Sequence, residues 1–78
     1  MSKIVIAKNQ TKLMEIFDKF PEEKFAQREL WEQTGIKYPA SVHSALMALV
    51  RKGEIDRIEN NNGSKVHIKY VKNKEADN

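Results

Sequence analysis

Seventy-eight residues with 40% hydrophobic and 32% charged side chains suit one small soluble domain, with too much apolar surface for a wholly disordered chain and too little length for an enclosed active site. The lack of cysteine excludes disulfides and thiolate metal sites, leaves packing to supply the stability, and fits a reducing, cytoplasmic setting. The formal charge is only +3, but residues 1–32 balance six basic against six acidic side chains, residues 33–74 carry eight against three, and the last four carry −2. Positive charge is therefore displayed by the C-terminal half, as binding to a polyanion requires.

Residues 1–8 are expected to form an N-terminal strand or arm, because Ile4-Val5-Ile6 is a β-prone triplet. Ile4 to Ala7 is far too short for a signal-peptide core or a membrane span, so no membrane association is expected. From Asn9 onward, Leu13, Ile16, Phe17 and Phe20 follow the i, i+3, i+4, i+7 spacing of one helical face. Asn9 or Thr11 can cap the start of this first helix, and Pro21 stops it near Phe20. Phe25 stands alone as a short strand ahead of a second helical stretch, Gln27 to Gln33, which Thr34-Gly35 closes so that Ile36 can fold back onto the core. A third helix starts near Pro39, buries Val42, Ala45, Leu46, Leu49 and Val50, and ends at Gly53. Its other face, Ala40, Ser44, Met47 and Arg51 flanked by Lys37, Ser41, His43 and Ala48, is mostly small and polar.

Glu54 to Glu59 and Lys65 to Val71 read as two strands, the second placing Val66, Ile68 and Tyr70 on one side. Asn60-Asn61-Asn62-Gly63-Ser64 between them contains an Asn-Gly pair suited to a hairpin loop. Ile55 and Ile58 are three apart, which points to a bulge or a late start in the first strand. Residues 9–72 thus form one domain, and residues 73–78, without an apolar anchor, form a disordered tail.

Phe25-Ala26-Gln27-Arg28-Glu29-Leu30, Thr34-Gly35-Ile36 and Ser41-Val42-His43-Ser44-Ala45-Leu46 resemble the winged helix-turn-helix family. The most telling run is Leu49-Val50-Arg51-Lys52-Gly53-Glu54-Ile55-Asp56-Arg57-Ile58, which resembles that family's junction from recognition helix to wing. The resemblance covers about residues 10–72 and names a fold class rather than a particular protein. It implies an α+β fold of three helices with a C-terminal β-hairpin wing. Two positions depart from the pattern: Ala26 stands where a serine or threonine cap is usual, and helix 3 displays few arginines.

The resemblance implies that helix 3 lies in the major groove of double-stranded DNA, with base contacts from its N-terminal half. The residues expected to carry them are Lys37, Tyr38, Ser41 and Ser44, with His43 at the edge and Arg51 toward the far phosphate backbone. Gln27 and Arg28 would meet phosphates at the start of helix 2, and the hairpin tip, with Asn61, Asn62 and Lys65, would reach a neighbouring groove or backbone. Lys65, Lys69 and Lys72 have an equally ordinary reading as lysines that guard an edge strand. His43 and His67 have no second ligand at metal spacing, so neither metal nor cofactor is expected. Trp31 and the phenylalanines read as core.

No cysteine nucleophile, phosphate-cradling glycine loop or paired carboxylates in a pocket occurs, so the protein is expected not to be an enzyme. The leading function is a DNA-binding transcription regulator, with Ile4-Val5-Ile6 as a candidate homodimer element. A protein-interaction module presenting Met47, Ala48 and Tyr38 to a protein partner is the alternative. RNA binding through the hairpin is the third, short of stacking aromatics other than Tyr70.

Overall fold

The computed structural model describes residues 3–74, leaving aside the side chains of residues 3–6 and 62. Their order is α1 (Lys3–Lys19), α2 (Gln27–Thr34), α3 (Pro39–Arg51), β1 (Ile55–Asn62) and β2 (Lys65–Lys72), an α+β arrangement of three helices followed by an antiparallel hairpin.

The start of α1 departs from expectation. Ile4-Val5-Ile6 is helical rather than a strand, and the helix runs on from Lys3 through Asn9. No glycine or proline lies between Lys3 and Phe20 to break it, and three β-branched residues cost only about half a kcal/mol each in a helix. Asn9 is therefore not a cap; it is a buried residue one turn before Leu13 on the same face. Thr11 does not cap either, since its hydroxyl donates to the Ala7 carbonyl at 3.1 Å. The C-terminal end is as expected: the helix stops at Lys19, just ahead of Phe20-Pro21.

Leu13 and Phe17 of α1 enter the core with Phe25, Leu30, Ile36, Val42, Ala45, Leu46, Leu49, Ile55 and Tyr70, while Ile16, Trp31 and Val50 are only partly covered. Phe20 is 41% exposed instead of buried. It packs edge-on against Phe25 at 6.3 Å, and Phe25 in turn meets Phe17 at 5.8 Å.

Gly35 closes α2 at φ 70°, its N–H donating to the Trp31 carbonyl at 3.3 Å. Ala26 supplies no side-chain acceptor, but Glu29 Oε1 accepts from the Ala26 N–H at 3.0 Å, which fixes the entry to α2 from the other direction. At the end of α3, Gly53 N–H donates to Val50 O (3.0 Å) and Glu54 N–H to Leu49 O (3.1 Å), the paired bonds of a Schellman motif. The motif turns the chain so that Ile55 is buried at the start of β1.

The hairpin register runs without a break from Ile55↔Lys72 to Asn62↔Lys65. There is no bulge and no late start. The tip is shorter than expected, because Asn60, Asn61 and Asn62 belong to β1 and only Gly63-Ser64 turns the chain. Gly63 takes φ 68° at the first turn position, where a two-residue hairpin favours glycine. Successive strand residues face opposite sides, so Ile55, Arg57, Glu59 and Asn61 share one face with Lys72, Tyr70, Ile68 and Val66. Along that face coverage falls from buried Tyr70 through half-buried Ile68 to Val66, which is 58% exposed, so the hairpin leaves the core as it nears its tip.

Asn73 and Lys74, expected in the tail, are held: Asn73 N–H donates to Glu54 O at 3.0 Å and its amide to Asp56 at 3.2 Å, while Lys74 lies 4.0 Å from Glu22. Residues 75–78, and residues 1–2 of the expected arm, lie outside the described residues. No helix among the described residues is long and apolar enough to cross a membrane.

Candidate functional site

The sequence of α3 divides it lengthwise. Val42, Ala45, Leu46 and Leu49 face the core, and His43, Ser44, Met47, Ala48 and Arg51 line a shallow depression on the outer side. Small side chains at Ala40, Ser44 and Ala48 leave that surface thin, so a flat or grooved partner can approach the helix closely. Ser44 belongs to this face, but Ser41 does not, being only 9% exposed. At 100° per residue Ser41 falls beside Ala45, on the edge of the buried arc, which the sequence pattern alone placed with the flank.

Lys37 and Tyr38 precede the helix. Tyr38 occupies the N-cap position in extended conformation and is 58% exposed, with the Lys37 ammonium 5.3 Å from the centre of its ring. Gln27, at the start of α2, links the two helices: its Nε2 donates to the Pro39 carbonyl at 3.3 Å and its Oε1 lies 3.3 Å from His43 Nδ1. Arg28 is exposed beside it but pairs with Glu32 at 3.3 Å. Gln27, Arg28, Trp31 and Pro39 border a second shallow depression, so Trp31 is partly a surface residue.

The hairpin sorts the remaining candidates by face. Lys65 shares its side of the sheet with His67 and Lys69, all exposed, whereas Asn61 lies across from Val66 on the opposite face. Asn62 pairs with Lys65 at the turn, and its side chain is outside the described residues. Lys72 is on the core-facing side, part-buried, with its Nζ 2.6 Å from Asp18 Oδ1. The sequence grouped Lys65, Lys69 and Lys72 together; the register separates the third from the other two. Counting residues in steps of two from Lys65 would have found His67 and Lys69 as its companions.

Arg57 is bound to Glu59 at 2.6 Å, whose carboxylate raises the guanidinium above its ordinary range, and the Lys52 ammonium donates to Gln10 at 2.7 Å. Lys37, Arg51, Lys65 and Lys69 form no ion pair among the described residues. These four lie before α3, at its last turn and along the outer hairpin face. No group of three or more histidine, cysteine, aspartate or glutamate residues able to hold a metal ion occurs among the described residues.

Comparison with family models, curated proteins and solved structures finds no match to this chain. The geometry itself is therefore the ground for a functional reading. It offers an open helix face lined by His43, Ser44, Met47, Ala48 and Arg51, with Lys37 ahead of its first turn.

Proposed function

We propose that this chain is a winged helix-turn-helix domain that binds double-stranded DNA, serving as a small transcription regulator rather than an enzyme. Helix α3 enters the major groove, and the β1–β2 hairpin is the wing. The observation that carries this reading is the presence of unpaired cations around α3 and on the outer hairpin face. Lys37 and Arg51 at the two ends of α3, and Lys65 and Lys69 on the outer hairpin, have no carboxylate partner among the described residues, a property they share with Lys8, Lys12, Lys19 and Lys24. Unpaired cations are available to replace counterions along a phosphate backbone. The small side chains of α3 let its backbone approach base edges, and Ser44, His43 and Gln27 supply hydrogen-bonding groups there.

The test is fluorescence anisotropy with a random-sequence duplex and the matching single strand, titrated at low and at physiological salt. Duplex binding that weakens steeply with salt is the expected result. A protein-interaction module is the second reading, favoured by Tyr38, 58% exposed ahead of α3, and by partly covered Met47. Absence of binding to either strand form at low salt would transfer the assignment to it.

A further inference from the structure

The contacts of Gln27 assign a chemical role to His43 that the sequence does not reveal, and the assignment rests on the DNA-binding reading above. A carbonyl oxygen accepts only, so the end of the Gln27 amide that meets Pro39 O at 3.3 Å must be the NH2 group. Its Oε1 is thereby turned to His43 Nδ1, also at 3.3 Å. An amide oxygen accepts only, so Nδ1 must carry the hydrogen. In a neutral imidazole the other nitrogen, Nε2, is then a bare acceptor. His43 is exposed on the outer face of α3, beside Ser44 and Met47, and no hydrogen bond to Nε2 occurs among the described residues.

We propose that Gln27 is a positioning residue that locks His43 in its Nδ1–H tautomer, and that His43 Nε2 reads an exocyclic base amine in the major groove. The amines available there are N6 of adenine and N4 of cytosine. The Pro39 carbonyl is the fixed point of the relay, since it belongs to the first turn of α3 and sits one helical turn before His43. The relay therefore moves with the reading helix, and the orientation of the ring is set before DNA arrives.

Two measurements on the full chain test this, both at pH 8.5, where an imidazole is neutral. The first is long-range 1H–15N NMR of the His43 ring in the free protein, which identifies the protonated nitrogen directly. Nδ1–H is expected in the wild type and its loss is expected in Gln27→Met. A ring protonated at Nε2 in the wild type overturns the proposal, whatever the DNA results.

The second uses a duplex selected from a randomised pool. At each selected adenine or cytosine the amine is removed, by purine for adenine and 2-pyrimidinone for cytosine, and at each guanine N7 is removed by the 7-deaza analogue. One amine deletion is expected to weaken wild-type binding about three- to tenfold more than it weakens His43→Ala, the worth of one neutral hydrogen bond. Gln27→Met should lower that ratio toward one. If no amine deletion separates wild type from His43→Ala, or if only the 7-deaza substitution does, His43 is not an amine reader, while the DNA-binding assignment stands. If no duplex binds at all, the functional reading fails, and the amine-reading role falls with it even where the tautomer is the expected one.

Discussion

Phe25 and Tyr70 exchange two backbone hydrogen bonds of 2.8 Å each, N–H to carbonyl in both directions. A single residue in the loop between α1 and α2 thus clasps the root of the hairpin, and its ring wedges between Phe17 and Phe20. The hairpin is consequently anchored at two places, by the α3 turn at Ile55 and by Phe25 at Tyr70. Truncating Phe25 to alanine should destabilise the domain by about 3–5 kcal/mol, a large share of the total stability of a small domain, roughly 5–15 kcal/mol. Urea denaturation followed by circular dichroism measures it, and a loss below about 1 kcal/mol would contradict this packing. Phe25→Leu keeps the backbone clasp and much of the volume, and should cost markedly less.

The two positive-φ glycines that flank α3 can be weighed in isolation. A Cβ built on Gly35 or Gly53 meets nothing within 4 Å, so a side chain there suffers no clash. Their φ values of 70° and 77° remain. Gly53→Ala should therefore cost about 1–2 kcal/mol through the left-handed backbone alone. Gly53→Asn should recover part of it, because asparagine tolerates that region. Equal stabilities for the alanine and asparagine variants would show that the Schellman turn is not the source of the loss.

Reversing Lys37 and Arg51 to glutamate separates binding from folding. Neither side chain is in an ion pair among the described residues, and the main stability cost is reversing the charge of Arg51 in the last turn of α3, so the melting temperature should fall by only about 2–4 °C, the response of a small domain to roughly 0.5 kcal/mol. Duplex affinity should fall, and the slope of log affinity against log salt should shrink by about one for each phosphate contact removed. Unchanged affinity would direct attention to a protein partner.

Within β2, register predicts that two lysines three residues apart behave oppositely. Lys72→Ala removes the 2.6 Å contact with Asp18 from a part-buried site, and should lower stability by up to about 1 kcal/mol while leaving duplex affinity in place. Lys69→Ala, on the outer face, should weaken duplex binding and spare stability. A parallel loss of affinity in both variants would indicate that the outer face is not the one that meets DNA.

Helix ends and strand faces were legible where one residue type settles a local conformation. Pro21, Gly35, Pro39 and Gly53 marked the boundaries that the structure adopts, because each restricts or frees a backbone angle irrespective of tertiary context. The start of α1 was not legible. Ile4-Val5-Ile6 has a β preference worth little against continuation of a helix already formed, so the local bias was outweighed by its neighbours. The tip of the hairpin was not legible for a related reason: asparagines favour turns, but Gly63-Ser64 makes the turn and the three asparagines join the ladder. The tie between Gln27 and His43 spans 16 residues and two helices, and no periodicity within either helix encodes it.

Ser41 and Ser44 give the sharpest comparison on α3, because they are one turn apart, chemically identical and differently placed. Ser44 lines the outer depression, while Ser41 is buried. Ser44→Glu puts a carboxylate on the face proposed to meet DNA, where it would be repelled by phosphate, so duplex affinity should drop at least tenfold at low salt, about 1.4 kcal/mol. Its effect on stability should be slight, since an exposed helical serine is replaced by a better helix former. Ser41→Ala trims a buried side chain and should change stability by up to about 1 kcal/mol, with duplex affinity retained under conditions where the protein is fully folded. Anisotropy titration and thermal melting on the two variants decide the matter together: if Ser41→Ala lost affinity without losing stability, the rotation of α3 about its axis would have to be different from the one that buries Val42, Ala45, Leu46 and Leu49.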